Sequence, residues 1–295
     1  TNVVAFCEDK IFKILANKDA LYNADGDTNV TATNRVLGTV TPYSGEFGIS
    51  KNPESFAKES YRAYFADKVR GAIMRLSIDG LTPISDHGMK DWFRDNLKLT
   101  NTLVGSYDDK KDEYNITLDN SEDSTPKTVT FKENVRGWVS FKSFIPENGI
   151  SCANDYYTFK KGQIWKHHTE SAGRNKFYGI HNSNHYSTFT AILNDSPGVV
   201  KSFDTINYEG SKSKININAG DNQYYNLASK KGWYITNIQT DLEQGSLNEF
   251  IEKEGKWFNY IKGKSITHDA YSNIQVVDDN SLFDQGSLAI QGLGV

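Results

Sequence analysis

The stretch FKENVRGWVSFKSFIPENGISCANDYYTFKKGQIWKHHTESAGRNKFYG, residues 131–179, carries the clearest fold pattern in the chain. Aromatic residues recur among polar partners along its first half, at Phe131, Trp138, Phe141 and Phe144. The tripeptide VRG at 135–137 interrupts this run, and KKG at 160–162 separates DYYTF from QIWKHH. Glycine readily adopts the positive φ that tight hairpin turns require, so each interruption predicts a turn between antiparallel strands. The stretch therefore predicts consecutive strands of a β-sheet.

Hairpins of the same kind recur elsewhere in the chain. An aromatic strand, a turn containing acidic residues or lysine, and an apolar strand occur in VVAFCEDKIFKIL (3–15), YRAYFADKVRGAIMRLSIDG (61–80), LVGSYDDKKDEYNITLD (103–119) and DYYTFKKGQIWKHH (155–168). Such recurrence is typical of a β-propeller, although ordinary hairpins in a β-sandwich use the same chemistry. With 16 Tyr, 16 Phe and only six Pro, the composition also favours strands. We expect a mainly β fold, with propeller-like repeated antiparallel hairpins, a β-rich C-terminal region and few short helices.

The segments between these hairpins give further expectations. Residues 23–54 are rich in Gly, Asn, Thr and Asp, and this composition predicts a long loop that acts as a contact surface. The sequence SDHGMKDWFRDNL at 85–97 predicts a short helix that begins at Ser85 or Asp86 and has an apolar face. The polar cluster DNSEDSTPKT at 119–128 predicts a boundary between a propeller-like region, 1–120, and a β-rich domain, 121–295.

The second half of the chain predicts further strands, at 186–193, 199–208, 213–218 and 233–240. Residues 246–262 predict a helix that Ser246 and Glu249 cap, followed by a strand after Gly255. The tail at 273–295 predicts one short strand before its last glycines.

Charge and cysteine content limit the partners and the compartment. A net charge of −4 gives no basic field for nucleic acid, and the absence of an apolar run of about 18 residues predicts no transmembrane helix. Cys7 and Cys152 predict two buried free thiols, with one long-range disulfide as the alternative. The chain opens without Met or a signal peptide, so we expect a processed product or a fragment of a longer chain.

A search for motifs finds no catalytic pattern. His181 and His185 have the spacing of metal ligands on a helix but lie in a loop-like sequence, HNSNHYS, and the pattern favours structural or surface histidines. The polar run DGDTN at 25–29 lacks the glycine and glutamate of a calcium-binding EF-hand loop. Because carboxylate pairs of glycosidases are defined only in three dimensions, that chemistry stays open. We expect no cofactor and no metal.

Long phrases in the chain resemble a known family. They are GTVTPYSGEFGISKNPESFA (38–57), YRAYFADKVRGAIMRLSIDGLTPIS (61–85) with GMKDWFRDNL (88–97), GWVSFKSFIPENG (137–149) with YYTFKKGQIWKHH (156–168), and EFIEKEGKWFNYIKG (249–263). Together these phrases resemble a large tail structural protein of tailed bacteriophages, as in marine cyanophages and crAss-like phages. In the latter it is described as a tail stabilisation or muzzle protein.

The resemblance implies a non-enzymatic virion tail component of the nozzle or muzzle type, assembled as an oligomeric ring at the distal end of the tail. Its implied partners are other copies of itself, other phage tail proteins and the host cell surface, without specific nucleic acid binding or membrane insertion. It transfers no catalytic residues. We place the contacts between subunits on the loops 23–54 and 169–186, at Tyr43, Phe47, Arg174, Tyr178, His181 and His185.

Two other functions remain as alternatives. Tyr, Trp and Asn on the loops of a β-protein suit sugar recognition, because flat rings provide rigid contact area. The first alternative is therefore a carbohydrate-binding or glycoside-hydrolysing β-propeller protein. The second is a secreted adhesin unrelated to phage.

Overall fold

A computed structural model describes residues 2–22, 28–119, 126–179, 186–268, 274–276 and 290–293 of the 295-residue chain. In these residues strands predominate, and the one α-helix has ten residues. The chain divides into two compact units, Thr1–Ser187 (unit 1) and Thr188–Val295 (unit 2). The predicted mainly β class is confirmed.

Unit 1 contains four antiparallel sheets, each built from strands that are consecutive in sequence. The first sheet has β1 (Asn2–Phe6), β2 (Ile11–Tyr22) and β3 (Thr28–Pro42); the second has β4 (Ala57–Lys58), β5 (Ala63–Asp67), β6 (Ala72–Ser77) and β7 (Gly80–Pro83); the third has β8 (Thr102–Asp108), β9 (Glu113–Asp119), β10 (Lys127–Lys132) and β11 (Gly137–Lys142); the fourth has β12 (Asn148–Cys152), β13 (Asp155–Lys160) and β14 (Gln163–Lys166).

The hairpins expected from the recurring pattern are present in unit 1. Strands β13 and β14 are joined by Lys161 and Gly162, both with positive φ (51° and 71°), as in the two-residue turns that suit the twist of paired strands. Asp112 closes the β8–β9 hairpin with a φ of 54°. The second and third sheets are four-stranded meanders, which is the form of a propeller blade. Their arrangement as a propeller stays a prediction.

The sheets of unit 1 pack on one another in chain order. Side chains on β5 alternate in direction: Phe65 packs towards the first sheet, with Ile11, and Tyr64 packs towards the third, with Tyr107 and Tyr114. Between the third and fourth sheets, Ser106 Oγ lies 2.7 Å from the hydroxyl oxygen of Tyr156. The second sheet is therefore buried on both faces.

The predicted helix exists but begins later than expected. It is α1 (Lys90–Leu99), and its Phe93 and Leu97 side chains are fully buried in the core of the second and third sheets. Ser85 lies instead in a 3-10 helix, Ile84–Asp86, and Met89 is the residue before α1. Gly88, with a φ of 82°, separates the two helices, because helical φ values are negative. The prediction of Ser85 or Asp86 as N-cap is therefore wrong.

The loop predicted at 23–54 is in large part a strand. Strand β3 has 15 residues and pairs with β2 along its length, although the register shifts twice. Its sequence TNVTATNRVLGTVTP is rich in β-branched residues, which suit a pleated sheet, and β2 supplies the hydrogen-bond partner that a local pattern does not reveal. Residues 43–54 are irregular apart from a 3-10 helix, Pro53–Ser55.

The polar cluster at 119–128 lies between two strands of one sheet. Leu118 of β9 is paired with Lys127 of β10, and residues 120–125 are outside the described part of the chain. The compact units divide between Ser187 and Thr188, and not near residue 120, because the ladder between β9 and β10 belongs to a single sheet.

Unit 2 contains shorter strands. They are β15 (Lys201–Phe203), β16 (Thr205–Tyr208), β17 (Ile235–Gln239), β18 (Glu243–Leu247), β19 (Ile251–Lys253), β20 (Lys256–Tyr260), β21 (Lys262–His268), β22 (Ile274–Val276) and β23 (Ile290–Gly292). They form the sheets β15–β23, β16–β20–β19 and β17–β18–β21–β22. A small core gathers Ile215, Leu247, Phe250 and Trp257.

Several expectations for this half of the chain are met and others are wrong. Strands within 199–208 and 233–240, and the short strand of the tail, are confirmed. Segment 213–218 has only two isolated bridges, at Ser213 and Ile215, and 186–193 has no strand. Ser246 lies in β18 and not at a helix cap, because β21 pairs along that strand.

The two cysteines are free, as predicted, but both are exposed and not buried. Cys7 follows the last residue of β1, and Cys152 ends β12 beside the turn residues Ala153 and Asn154. Turn positions face water, which explains the exposure. No helix in the described part of the chain is long and apolar enough to cross a membrane.

Candidate assembly surface

Two of the predicted contact residues support the core of unit 1. The Tyr43 amide donates a 2.9 Å hydrogen bond to the Ile11 carbonyl, and the rings of Tyr43 and Phe47 pack partly buried against the cluster of Ile11, Phe65 and Met74. Part of each ring is thus buried inside unit 1. Their role in contacts between subunits stays a prediction.

Arg174 and Tyr178 lie on the segment that follows the fourth sheet. Arg174 is exposed, whereas the Tyr178 hydroxyl lies 3.2 Å from Thr158 Oγ1. The Tyr178 ring meets Trp165 edge to face at 5.6 Å, and burial raises the pKa of its hydroxyl. No hydrogen bond, ion pair or ring contact among the described residues joins this pair to Tyr43 or Phe47. His181 and His185 lie outside the described residues.

A buried polar network fixes the beginning of that segment. His167 Nε2 lies 2.7 Å from Thr158 Oγ1 on β13, and the His167 ring packs on Phe144 and Tyr156, with ring centres 4.8 and 4.9 Å away. His168, with a φ of 58°, places its Nε2 2.6 Å from Asp108 Oδ2 at the end of β8. The two histidines therefore hold residues 167–168 against two sheets.

The environment of His167 keeps its imidazole neutral. Only 6% of the residue is exposed, and this burial lowers the pKa of His167 from 6.5 to about 4, since a charged ring loses its hydration. The neighbouring His168 lowers that pKa further, and Asp108 opposes the shift. A neutral ring bonded to Thr158 and enclosed by aromatic side chains therefore positions this segment.

The sequence pattern did not reveal this network. The residue that bonds His168, Asp108, precedes it by 60 positions. Across the described ranges, no three His, Cys, Asp or Glu side chains cluster closely enough to hold a metal ion. A buried bond of this kind depends on how two sheets pack, so local spacing carries no trace of it.

An exposed apolar stretch lies at the start of unit 2. Five large side chains face water within residues 188–200: Phe189, Ile192, Leu193, Val199 and Val200. Phe189 is 76% exposed and Ile192 is 73% exposed, and residues 188–194 belong to no helix, strand or turn. Exposed apolar side chains concentrated in this way are typical of interaction sites on soluble proteins. We call residues 188–200 the apolar segment.

A second exposed apolar surface lies on β3. Val30, Val36, Leu37 and Val40 are between 54% and 74% exposed. Strand β3 is also the edge of its sheet, since only β2 pairs with it among the described strands. The free edge offers backbone donors and acceptors, and these four side chains add apolar area to it.

One part of the chain matches a known protein family. Residues 173–264 match the model of the Crassvirus muzzle protein C-terminal domain. This part of the chain is similar to the C-terminal domain of the crassvirus muzzle protein. The match covers about a third of the chain and includes Arg174, Tyr178 and the whole apolar segment. A search of curated proteins found no match. The matched domain supports a structural role in a phage virion tail. Among the described residues of unit 2, the most exposed apolar side chains lie inside this domain.

Proposed function

We propose that this protein builds the distal nozzle or muzzle of the tail by packing against further copies of itself and against other tail proteins, and that it acts without catalysis. The observation that carries the proposal is the apolar segment. Five large apolar side chains face water within 13 residues of the domain that matches the muzzle family. An isolated soluble subunit gains nothing from such exposure, whereas a subunit in an assembly buries it.

The buried polar network supports the same function. His167 and Tyr178 bond Thr158 on the fourth sheet and His168 bonds Asp108 on the third, so both ends of residues 167–178 are held. Arg174 lies between these ends and is exposed to water. A rigid support with an exposed Arg suits a contact between proteins, because Arg is enriched at interfaces and binds carboxylates with two hydrogen bonds. The network thus has a positioning role.

A paired substitution tests whether the apolar segment carries assembly. Burial of Ile192 and Leu193 at an interface contributes roughly 1.5–3 kcal/mol for each side chain, so the double variant I192D/L193D should weaken association at least a hundredfold. The control is I78D, because Ile78 is 99% exposed in a turn of unit 1. Sedimentation velocity measures the oligomer, and circular dichroism checks the fold.

Electron cryomicroscopy of the virion then tests the location in the tail. Repeated copies of this chain around the tail axis, with 188–200 covered by a neighbour, are the expected result. Copies with 188–200 facing water would contradict the role of the segment. A free monomer that hydrolyses or binds glycans, and is missing from the distal tail, would support the carbohydrate-active alternative and overturn the proposal.

A further inference from the structure

The apolar segment has the properties of a strand that lacks a partner. Its first eight residues, TFTAILND at 188–195, are rich in aromatic and β-branched residues and carry one charge, at Asp195; such composition favours a pleated conformation. Their peptide groups make no backbone hydrogen bond to another described residue. The Phe189 ring meets Trp233 edge to face at 5.6 Å, which anchors one side chain of the segment.

Strand β3 has the properties of an edge that lacks a covering strand. Natural edge strands are short, or carry several charges or an interior proline, because an open edge otherwise recruits another chain. Strand β3 is 15 residues long and carries a single charged residue, Arg35. Its one proline, Pro42, is the last residue of the strand. Its exposed valines add apolar area along the open side. These features describe an edge that is protected only when another strand covers it.

We propose that residues 188–195 of one copy pair as an added strand with the free edge of β3 in a neighbouring copy. This inference rests on the proposed function, in which copies pack together. Eight residues extend over roughly 27 Å and the 15 residues of β3 over roughly 50 Å, so the whole donor fits along the acceptor. The single charges are opposite in sign, Asp195 on the donor and Arg35 on the acceptor.

A second copy is the favoured occupant because each chain contains one donor and one acceptor. Strand addition satisfies the main-chain groups of both partners, and side chains at alternate positions set the specificity. The donor and the acceptor are different surfaces, so the contact is heterologous, and repeated heterologous contacts close into a ring when the rotation permits. A cyclic tail assembly is built in this way.

Disulfide trapping tests the pairing between copies. In a C7S/C152S background, a T190C chain is mixed with a chain that carries V36C or V40C, and oxidation should give a covalent dimer detected on a non-reducing gel. Cysteines that face each other across paired strands lie within disulfide reach. The control acceptor is I164C, because Ile164 is 68% exposed on β14, another edge strand. The proposal is overturned if I164C gives as much covalent dimer as the β3 variants, or if neither V36C nor V40C gives any.

A proline substitution tests whether the backbone of the segment is used. A191P removes one main-chain donor and should weaken association at least tenfold, since proline interrupts a ladder of hydrogen bonds. A228P is the matched control, because Ala228 is also exposed, lies outside any strand, and has an amide that makes no backbone hydrogen bond among the described residues. Equal association of A191P and A228P would exclude strand addition.

The two proposals fail in different ways. If this chain is missing from the tail, the proposed function is wrong. If the tail contains the chain and I192D/L193D impairs assembly while A191P does not, the apolar side chains pack without strand pairing, and only the present inference is wrong. A disulfide that forms within a doubly substituted single chain, and not between mixed chains, would place the pairing inside one subunit and also contradict it.

Discussion

The Tyr64 hydroxyl donates a 2.7 Å hydrogen bond to Oε1 of Glu133, a residue 69 positions later in the chain. The other carboxylate oxygen of Glu133 accepts a 2.9 Å hydrogen bond from Arg75. Tyr64 and Arg75 lie on the second sheet of unit 1 and Glu133 follows β10 of the third, so this carboxylate joins the two sheets. Burial raises the pKa of Tyr64, and the bond to Glu133 raises it further. The hydroxyl therefore remains a donor at neutral pH.

We predict that Y64F lowers the free energy of unfolding by about 1.5–3 kcal/mol, because it removes a hydrogen bond to a charged and largely buried acceptor. Urea unfolding monitored by circular dichroism measures the loss. Y61F is the matched control, since Tyr61 is 85% exposed and should change stability by less than about 0.5 kcal/mol. Equal stability of the two variants would show that the bond does not join the sheets.

A second prediction concerns the close approach of β8 to the 3-10 helix Pro53–Ser55. A Cβ atom on Gly105 would lie 1.9 Å from the Ser55 carbonyl oxygen. That oxygen also accepts a 3.0 Å hydrogen bond from the buried Tyr114 hydroxyl. Moving the oxygen away from a new Cβ atom would therefore break this bond. We expect G105A to lose about 3 kcal/mol or more, the upper range for overpacking, or to accumulate as insoluble chain.

The control for G105A is G137A. The nearest atom to a Cβ at Gly137 is 3.9 Å away and its φ is not positive, so alanine should be neutral or slightly stabilising there. Soluble yield and melting temperature are measured for both variants. Normal folding of G105A would contradict the observed contact between Ser55 and β8.

The buried His167 predicts a dependence of stability on acid. The unfolded chain binds a proton at His167 near pH 6.5, whereas the folded chain binds it only near pH 4. Between these values the unfolded state binds more protons, so the free energy of unfolding falls as the pH falls through this window. Above the window the contribution of His167 to the free energy of unfolding is fully present. We expect about 2 kcal/mol of it to be lost between pH 7 and pH 4.5.

The variant H167Q should reduce that dependence, because glutamine keeps a polar group near Thr158 and does not titrate in this range. H87Q is the control, since His87 is exposed. The measurement is the difference in unfolding free energy between pH 7 and pH 4.5 for each variant. If H167Q and H87Q show the same pH dependence, His167 is not the group responsible.

The exposed thiols give a fourth prediction. Cys7 and Cys152 are both free and exposed, so the isolated native chain should react with two equivalents of a water-soluble disulfide reagent without denaturant. C7S and C152S should each leave one equivalent. Reaction only after the addition of urea would instead support the buried thiols that the sequence had suggested.

The contacts between subunits that the sequence predicts at 169–186 stay a prediction. Within that segment Arg174 is exposed, whereas Tyr178 is partly buried. The pattern YSTFTAIL at 186–193 predicted a strand, and the structure shows a segment of that composition with no strand partner within the described residues. Local sequence shows the capacity to form a strand, but a strand exists only where a second strand supplies the hydrogen bonds.

The sequence by itself determined the mainly β class, the hairpins and the buried face of α1. These features depend on neighbours within a few residues, such as the turn at Gly162 or the spacing of Phe93 and Leu97. Only the tertiary structure decided that β3 pairs with β2, that Ser246 lies in a strand, and that Asp108 bonds His168. Pairing and burial join residues far apart in sequence, and the free energy that selects them comes from contacts that a local pattern does not contain.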